Sequence, residues 1–195
     1  MTAPAPSPEV FKGREILVGV TGGIAAYKTA ALVSKLVQAG AAVSVVMTEN
    51  ATRFVGPLTF QTLTGRPVCT DPYAAPEVYH ADHIALADRA ELAVVAPATA
   101  NCLAKLANGL ADDLLSTVLL AIDAPLVLAP AMNVRMWNHP AVQANARTVA
   151  ERGVTLVGPG EGRLACGTVG KGRMAEPEEI LAAMAAILAA APKKP

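Results

Sequence analysis

The sequence has no net charge. Its 16 Lys and Arg are matched by 16 Asp and Glu, so no long-range field draws it to nucleic acid or to an anionic membrane surface, and neither is expected as a partner. Any anion site must be assembled locally. Cysteine is scarce: Cys69, Cys102 and Cys166 are odd in number, widely spaced and without a CxxC pair, which excludes a disulfide framework and a paired-thiol zinc site. They read as reduced thiols of a cytoplasmic protein. His80, His83 and His139 have no second ligand at metal-binding spacing, so no metal is assigned. No apolar run approaches the roughly 18 residues of a membrane helix. The opening MTAPAPSPEV is Pro-rich and polar, unlike a secretory leader, and no internal repeat is present.

What is present is apolar and alternating. With 53% of its side chains apolar, the 195-residue chain suffices for one core and falls short of two ordinary domains. A single domain is expected over 14–191, with a disordered lead-in at 1–13 and a tail at 192–195. EILVGVTG is a short β-branched run ending in glycine, and IAAYKTAALVSKLVQAG repeats its apolar residues at helical spacing before stopping at Gly40. The same alternation returns through AAVSVVMT, LAVVAPAT, PLVLAPAM and VTLVGP, each followed by a helical pattern or a loop, and closes on PEEILAAMAAILAAA. Strands apolar throughout need cover on both faces, so the fold class is α/β: a three-layer, doubly wound parallel sheet, Rossmann- or flavodoxin-like. Residues 60–83 lack clear periodicity and read as a long excursion.

In such sheets ligands gather at the carboxyl ends of the strands. Gly22 and Gly23, in GVTGGIAAYK, open a sharp turn whose free N–H groups suit a phosphate; a glycine turn packing strand on helix explains them equally. The pattern is neither GxGxxG nor a P-loop, and the second strand runs into MTEN rather than ending on an acidic residue, so a mononucleotide fits better than NAD. In APATANCLAK, small residues allow a flat ring to lie against the chain, while Thr99 or Asn101 is also a natural helix N-cap. In APAMNVRMWNHP, Asn133 has the donors and acceptor to fix a carboxylate or amide and Met132 and Met136 make a soft wall; core filler and a turn residue are the bland equivalents. His83 is either an acid, base or carboxylate orienter at a sheet end, or a structural residue paired with Asp82 or Asp88. GPGEGRLACGTVGKGRMAE, residues 158–176, has five glycines after Pro159, three basic side chains and no apolar period.

In chain order GVTGGIAAYK, HIALA, PATAN, PAMNVRMW and ACGTVGKGRMAE closely resemble the homo-oligomeric flavin-containing cysteine decarboxylases, over about residues 14–185. PxMNxxMW, here Pro130, Met132, Asn133, Met136 and Trp137, and the ACG loop after it are the most specific elements. The resemblance implies FMN as cofactor. Gly22, Gly23 and Ile24, with Thr48 and Asn50, match the phosphate and ribityl contacts; Thr99, Ala100, Asn101, Cys102 and Ala131 match the positions lining the ring. His83 matches the active-site histidine, Asn133 the residue gripping the substrate carboxylate and cysteine amide, and Cys166 the reactive cysteine of a glycine-hinged flap. Lys171 or Arg173 is assigned to a substrate phosphate.

The substrate implied is 4′-phosphopantothenoylcysteine of coenzyme A biosynthesis, oxidised to a thioaldehyde, decarboxylated to an enethiolate and re-reduced to 4′-phosphopantetheine, with Cys166 as proton donor. The assembly implied is a homotrimer or a set of trimers. Where the family often reads HIxLxxWAD, this chain has Arg89, Ala90 and Glu91, which puts packing near His83 in question. Many relatives continue into a ligase domain, so the chain reads as a free-standing decarboxylase or as one part of a longer protein. A peptidyl-cysteine decarboxylase and a non-catalytic flavin-binding regulatory subunit are the alternatives.

Overall fold

A computed structural model describes residues 8–71, 82–163 and 167–190. Five parallel strands form the central sheet in the order β2-β1-β3-β4-β5: β1 Glu15–Val20, β2 Ala42–Met47, β3 Leu92–Ala98, β4 Leu126–Pro130 and β5 Thr155–Leu156. Successive side chains point to opposite faces of a strand, and here both faces are buried. Ile16, Val18 and Val20 of β1 join one apolar cluster, whereas Leu17 joins the other.

The first face is covered by α1 (Ala26–Gln38), α3 (Pro57–Thr64) and α9 (Pro177–Ala190), which contribute Leu32, Phe60 and Ile180. The second is covered by α4 (Asp82–Arg89), α5 (Ala100–Asn108), α6 (Leu114–Ala121) and α8 (Pro140–Glu151), which contribute Leu86, Leu103, Val118 and Val149. The expected three-layer α/β architecture is therefore the observed one. Each fully buried Leu, Ile or Phe of these layers contributes about 1.5–3 kcal/mol. Two one-turn helices, α2 (Glu49–Thr52) and α7 (Val134–Trp137), follow β2 and β4.

Three local differences from the sequence reading have physical causes. Residues assigned to a lead-in include a short 3-10 helix, Pro8–Phe11, because Phe11 is only 2% exposed within the first apolar cluster. The excursion at 60–83 begins inside α3 and is drawn onto the sheet edge by reciprocal bonds, Met47 N–H to the Cys69 carbonyl (2.9 Å) and Cys69 N–H to that of Val45 (3.0 Å). The strand expected in VTLVGP contracts to two paired residues.

The glycine-rich stretch is an antiparallel hairpin, β6 Gly160–Arg163 with β7 Val169–Arg173. It lies on the loop after β4, where Met132 N–H donates to the Gly172 carbonyl at 2.9 Å. No helix among the described residues is long and apolar enough to cross a membrane.

Candidate active site

Parallel strands place their carboxyl ends on one edge. In this order β1 is the switch point, since the chain passes from β1 to β2 on one side and later to β3 on the other, and a crevice opens where the two crossovers diverge. Thr21 directly follows β1 and ties it to β3: its hydroxyl donates to the Pro97 carbonyl at 2.6 Å and accepts from Thr99 N–H at 3.2 Å. The buried Thr29 hydroxyl of α1 donates to the Ala96 carbonyl at 2.6 Å. These hydroxyls satisfy carbonyls where the β3–β4 ladder shifts register between Val95 and Ala98.

The crevice has two connected lobes sharing Gly22, Thr99, Ala100 and Met136. The polar lobe, about 470 Å³, is lined by Thr48, Asn50, Asn101, Cys102, Lys105, Asp113 and Ser116 besides the shared residues. The larger lobe, about 860 Å³, takes in Gly23, Ile24, Ala131, Met132, Asn133 and Arg173. Sequence-assigned residues spread over 22–173 thus converge on one cleft.

Gly22 is required by close approach, because a Cβ there would strike the Cβ of Asn50 and come within 2.9 Å of the Asn50 carbonyl carbon. At position 23, by contrast, a Cβ would meet only ordinary contacts with Pro97 and Thr99, at 3.8 Å each. Among the described residues the N–H groups of Gly22, Gly23 and Ile24 have no backbone acceptor. They open at the start of the 13-residue helix α1, so the turn fits a phosphate group.

Several structural readings are observed at residues that also line the cleft. Thr48 caps α2 by accepting from Ala51 N–H, and Thr99 caps α5 by accepting from Cys102 N–H, both at 3.3 Å, yet both line the polar lobe. Asn133 caps α7, its Oδ1 accepting from Arg135 N–H at 2.8 Å, and lines the larger lobe. His139 is structural: its Nδ1 accepts from Ala141 N–H at the start of α8.

Two assigned residues stand outside the cleft of their own chain. His83 is half-buried at the start of α4 and lines neither lobe. Lys171 is exposed opposite Glu161 across the hairpin and lines neither lobe, so Arg173 is the member of that pair that reaches the cleft. Cys166 lies outside the described residues.

The polar lobe also holds charges that sequence reasoning missed. Lys105 pairs with Asp112 (2.5 Å) and Asp113 (2.6 Å), and Asp113 and Ser116 form a reciprocal capping box on α6. Burial pushes the Asp113 carboxyl up, but its bonds from Lys105 and Ser116 prevail and hold it below the ordinary range. Burial, reinforced by the Asp113 charge, pushes the Cys102 thiol up to about 12. With iodoacetamide at about pH 8, native Cys102 is therefore expected to stay unmodified while the less buried Cys69 is labelled before it. Peptide mapping after a timed pulse checks this; equal labelling of the two would contradict the packing of Cys102.

Fold and site together define a flavin-type α/β domain, and the chain belongs to the Flavoprotein family, whose model matches residues 5–189. It is 55% identical over 172 residues to the coenzyme A biosynthesis bifunctional protein CoaBC of Bacillus subtilis, covering 88% of this chain and 42% of that protein. CoaBC of Vibrio cholerae is 49% identical over 173 residues, covering 87% and 43%. The chain thus spans less than half the length of these relatives. Among solved structures it resembles a cysteine-to-serine mutant of PPC decarboxylase complexed with pantothenoylaminoethenethiol, with TM-score 0.80 and 33% identity over 89% of this chain and 97% of that one. The FMN-dependent cysteine decarboxylase SpaF superposes with TM-score 0.80 at 32% identity, covering 93% and 98%.

Proposed function

We propose that this chain catalyses FMN-dependent decarboxylation of 4′-phosphopantothenoylcysteine to 4′-phosphopantetheine and CO2 in coenzyme A biosynthesis. The carrying observation is one cleft that joins an N–H cradle at the β1/β3 switch point to the Met132–Asn133 loop beneath a docked hairpin. The similarity to CoaBC proteins and to PPC decarboxylase supports the substrate. The relative's ligand, an ethenethiol, has a C=C bond beside sulfur, as expected of a species that has lost CO2 and still awaits reduction.

When bound, FMN would supply a reversible hydride acceptor, and the substrate thioaldehyde left by that oxidation would take up the electrons of decarboxylation. In this reading Gly22, Gly23 and Ile24, with Thr48 and Asn50, hold the cofactor phosphate and ribityl chain. Thr99, Ala100, Asn101, Cys102 and Ala131 line its ring. Asn133 grips the substrate carboxylate and amide, with Met132 and Met136 excluding water beside it. Cys166 gives the proton that completes the product. His83 orients the carboxylate from a neighbouring copy, which makes the active unit a homotrimer or an assembly of trimers; its absence from the cleft of its own chain supports this. The cytoplasm is the compartment this chemistry implies, since thiols such as Cys69 and Cys102 stay reduced there.

Mass spectrometry of 4′-phosphopantothenoylcysteine incubated with FMN-loaded protein tests the proposal. The expected product is the saturated thiol less CO2, with a product two hydrogens lighter from Cys166→Ser. His83→Asn is expected to keep bound flavin and lose about a hundredfold or more in turnover. An unchanged substrate with FMN bound, and turnover of a C-terminal cysteine peptide instead, would overturn the substrate assignment.

A further inference from the structure

The polar lobe is acidic. Its charged lining is Glu49, Lys105, Asp112 and Asp113, three carboxylates against one ammonium, and its other described lining residues are uncharged. Glu49 is answered outside the lobe by Arg53 at 3.0 Å, with both side chains exposed, and a pair of that kind contributes little. Lys105 differs: its side chain is 13% exposed, against 31% for Asp113 and 69% for Asp112, and its Nζ meets both carboxylates. It stands one helical turn beyond Asn101 and Cys102, on the same side of α5. Asp113 is held in turn by Ser116 through the capping box of α6, so the cluster has a fixed place. Cys102 registers its field: after burial, the Asp113 charge raises that thiol and the Lys105 charge lowers it, with the carboxylate having the larger effect.

We infer that Lys105, held between Asp112 and Asp113, is the positioning residue that sets the reduction potential of the bound flavin; this rests on the ring lying along residues 99–102. Charge beside the ring is the lever by which a protein tunes a flavin, because two-electron reduction with uptake of one proton leaves the ring with one more negative charge. A charge withdrawn from water acts through a lower dielectric, so a buried lysine is the effective place to apply it. One ammonium and two carboxylates give this cluster a net charge of −1. The cofactor phosphate assigned to the turn at 22–24 adds to the negative side, and Lys105 is the one cation among the described lining of this lobe that opposes it. The proposed reaction takes two electrons from the cysteine β-carbon and returns two to the decarboxylated product, so neither redox state of the ring can be strongly favoured. An unpaired ammonium would favour the reduced ring and hinder the return. The two aspartates offset it, which keeps both halves of the reaction within reach.

Redox titration of the FMN-loaded protein against reference dyes, without substrate, tests the assignment. Lys105→Met makes the cluster more negative and is expected to shift the reduction equilibrium about tenfold toward the oxidised flavin, roughly 30 mV for two electrons. Asp112→Asn, at the more exposed carboxylate, is expected to shift it a similar distance the other way. The double variant restores the parent charge, and its potential is expected to return to the parent value. A role confined to holding α5 against α6 produces neither the reversal of sign nor the cancellation. Lys35→Gln, which removes a charge from α1 where Lys35 pairs with Glu178 at 3.1 Å, is expected to leave the potential in place. Shifts of one sign in both single variants, or potentials that stay with the parent, overturn the assignment. If Lys105→Met releases the flavin, the sign of the Asp112→Asn shift decides alone. Turnover of 4′-phosphopantothenoylcysteine by the parent preparation reports separately. Charge-dependent potentials without turnover uphold the role of Lys105 against the decarboxylase reading, and turnover with unmoved potentials does the opposite.

Discussion

Gly172→Ala is expected to lower kcat/KM for 4′-phosphopantothenoylcysteine about a hundredfold while the central sheet and bound flavin survive. A Cβ at this position collides with the Met132 carbonyl oxygen and lies 3.3 Å from Val134 N, and both are backbone atoms that no rotamer change can move aside. The hairpin must then lift from the loop, stretching the 2.9 Å bond from Met132 N–H to the Gly172 carbonyl. That loop carries Asn133, and a displacement of about 1 Å at a positioning group costs on the order of a hundredfold in rate. The hairpin pairs with no strand of the main sheet, so the loss of stability stays near the 1–3 kcal/mol or so typical of overpacking. Gly160→Ala is the control: its nearest neighbour is the Arg173 carbonyl oxygen at 3.8 Å, an ordinary contact. Steady-state kinetics on the two variants, with flavin absorbance and a thermal melt alongside, decides the matter. Equal activity of the two would show that hairpin docking does not position the loop.

Gly172 also marks where sequence reasoning stopped. The glycine-rich stretch reads as a glycine-hinged flap with no strands in it, because glycine has low strand propensity and no apolar period appears; its pairing comes from the antiparallel register and from tertiary contact with residues 132–134. The sheet was legible because strands buried on both faces are apolar without interruption, as in LAVVAPA, where all seven residues are buried. Legible sheet ends brought with them the cleft residues at 22–24, 99–102 and 131–136. The charged pair on the larger lobe was not legible. Lys28 and Glu176 are 148 residues apart and meet only because α1 and the start of α9 share a face of the sheet. Phe11 was hidden by its Pro-rich neighbours, and its burial is decided by contacts far along the chain. His83 was found by motif, and the described cleft of its own chain does not contain it.

Glu91→Ala is expected to lower the unfolding free energy by about 3–5 kcal/mol, the magnitude for removing one partner of a buried ion pair. At this chain length that corresponds to roughly 6–20 °C in Tm. The Arg14 and Glu91 side chains are 11% and 6% exposed and meet at 2.6 Å; the second Glu91 oxygen accepts from Glu15 N–H at 3.1 Å, and Arg14 reaches on to the Leu188 carbonyl at 3.3 Å. One carboxylate therefore joins the start of β1, the junction of α4 with β3, and the end of α9. Its removal leaves a buried guanidinium without its counter-charge. The methylene that Glu has beyond Asp sets how far the carboxylate extends toward Arg14. Glu91→Asp is accordingly expected to fall between parent and Ala. Simultaneous replacement of Arg14 and Glu91 by Met is expected to recover much of the loss, since burying two ions costs about what their attraction returns. Thermal and urea melts of the four proteins test the series. A Glu91→Ala protein melting with the parent would place the strength of this corner in apolar packing around Leu92 and Leu188 instead, and would free the α4 helix that carries His83 from any dependence on the ion pair.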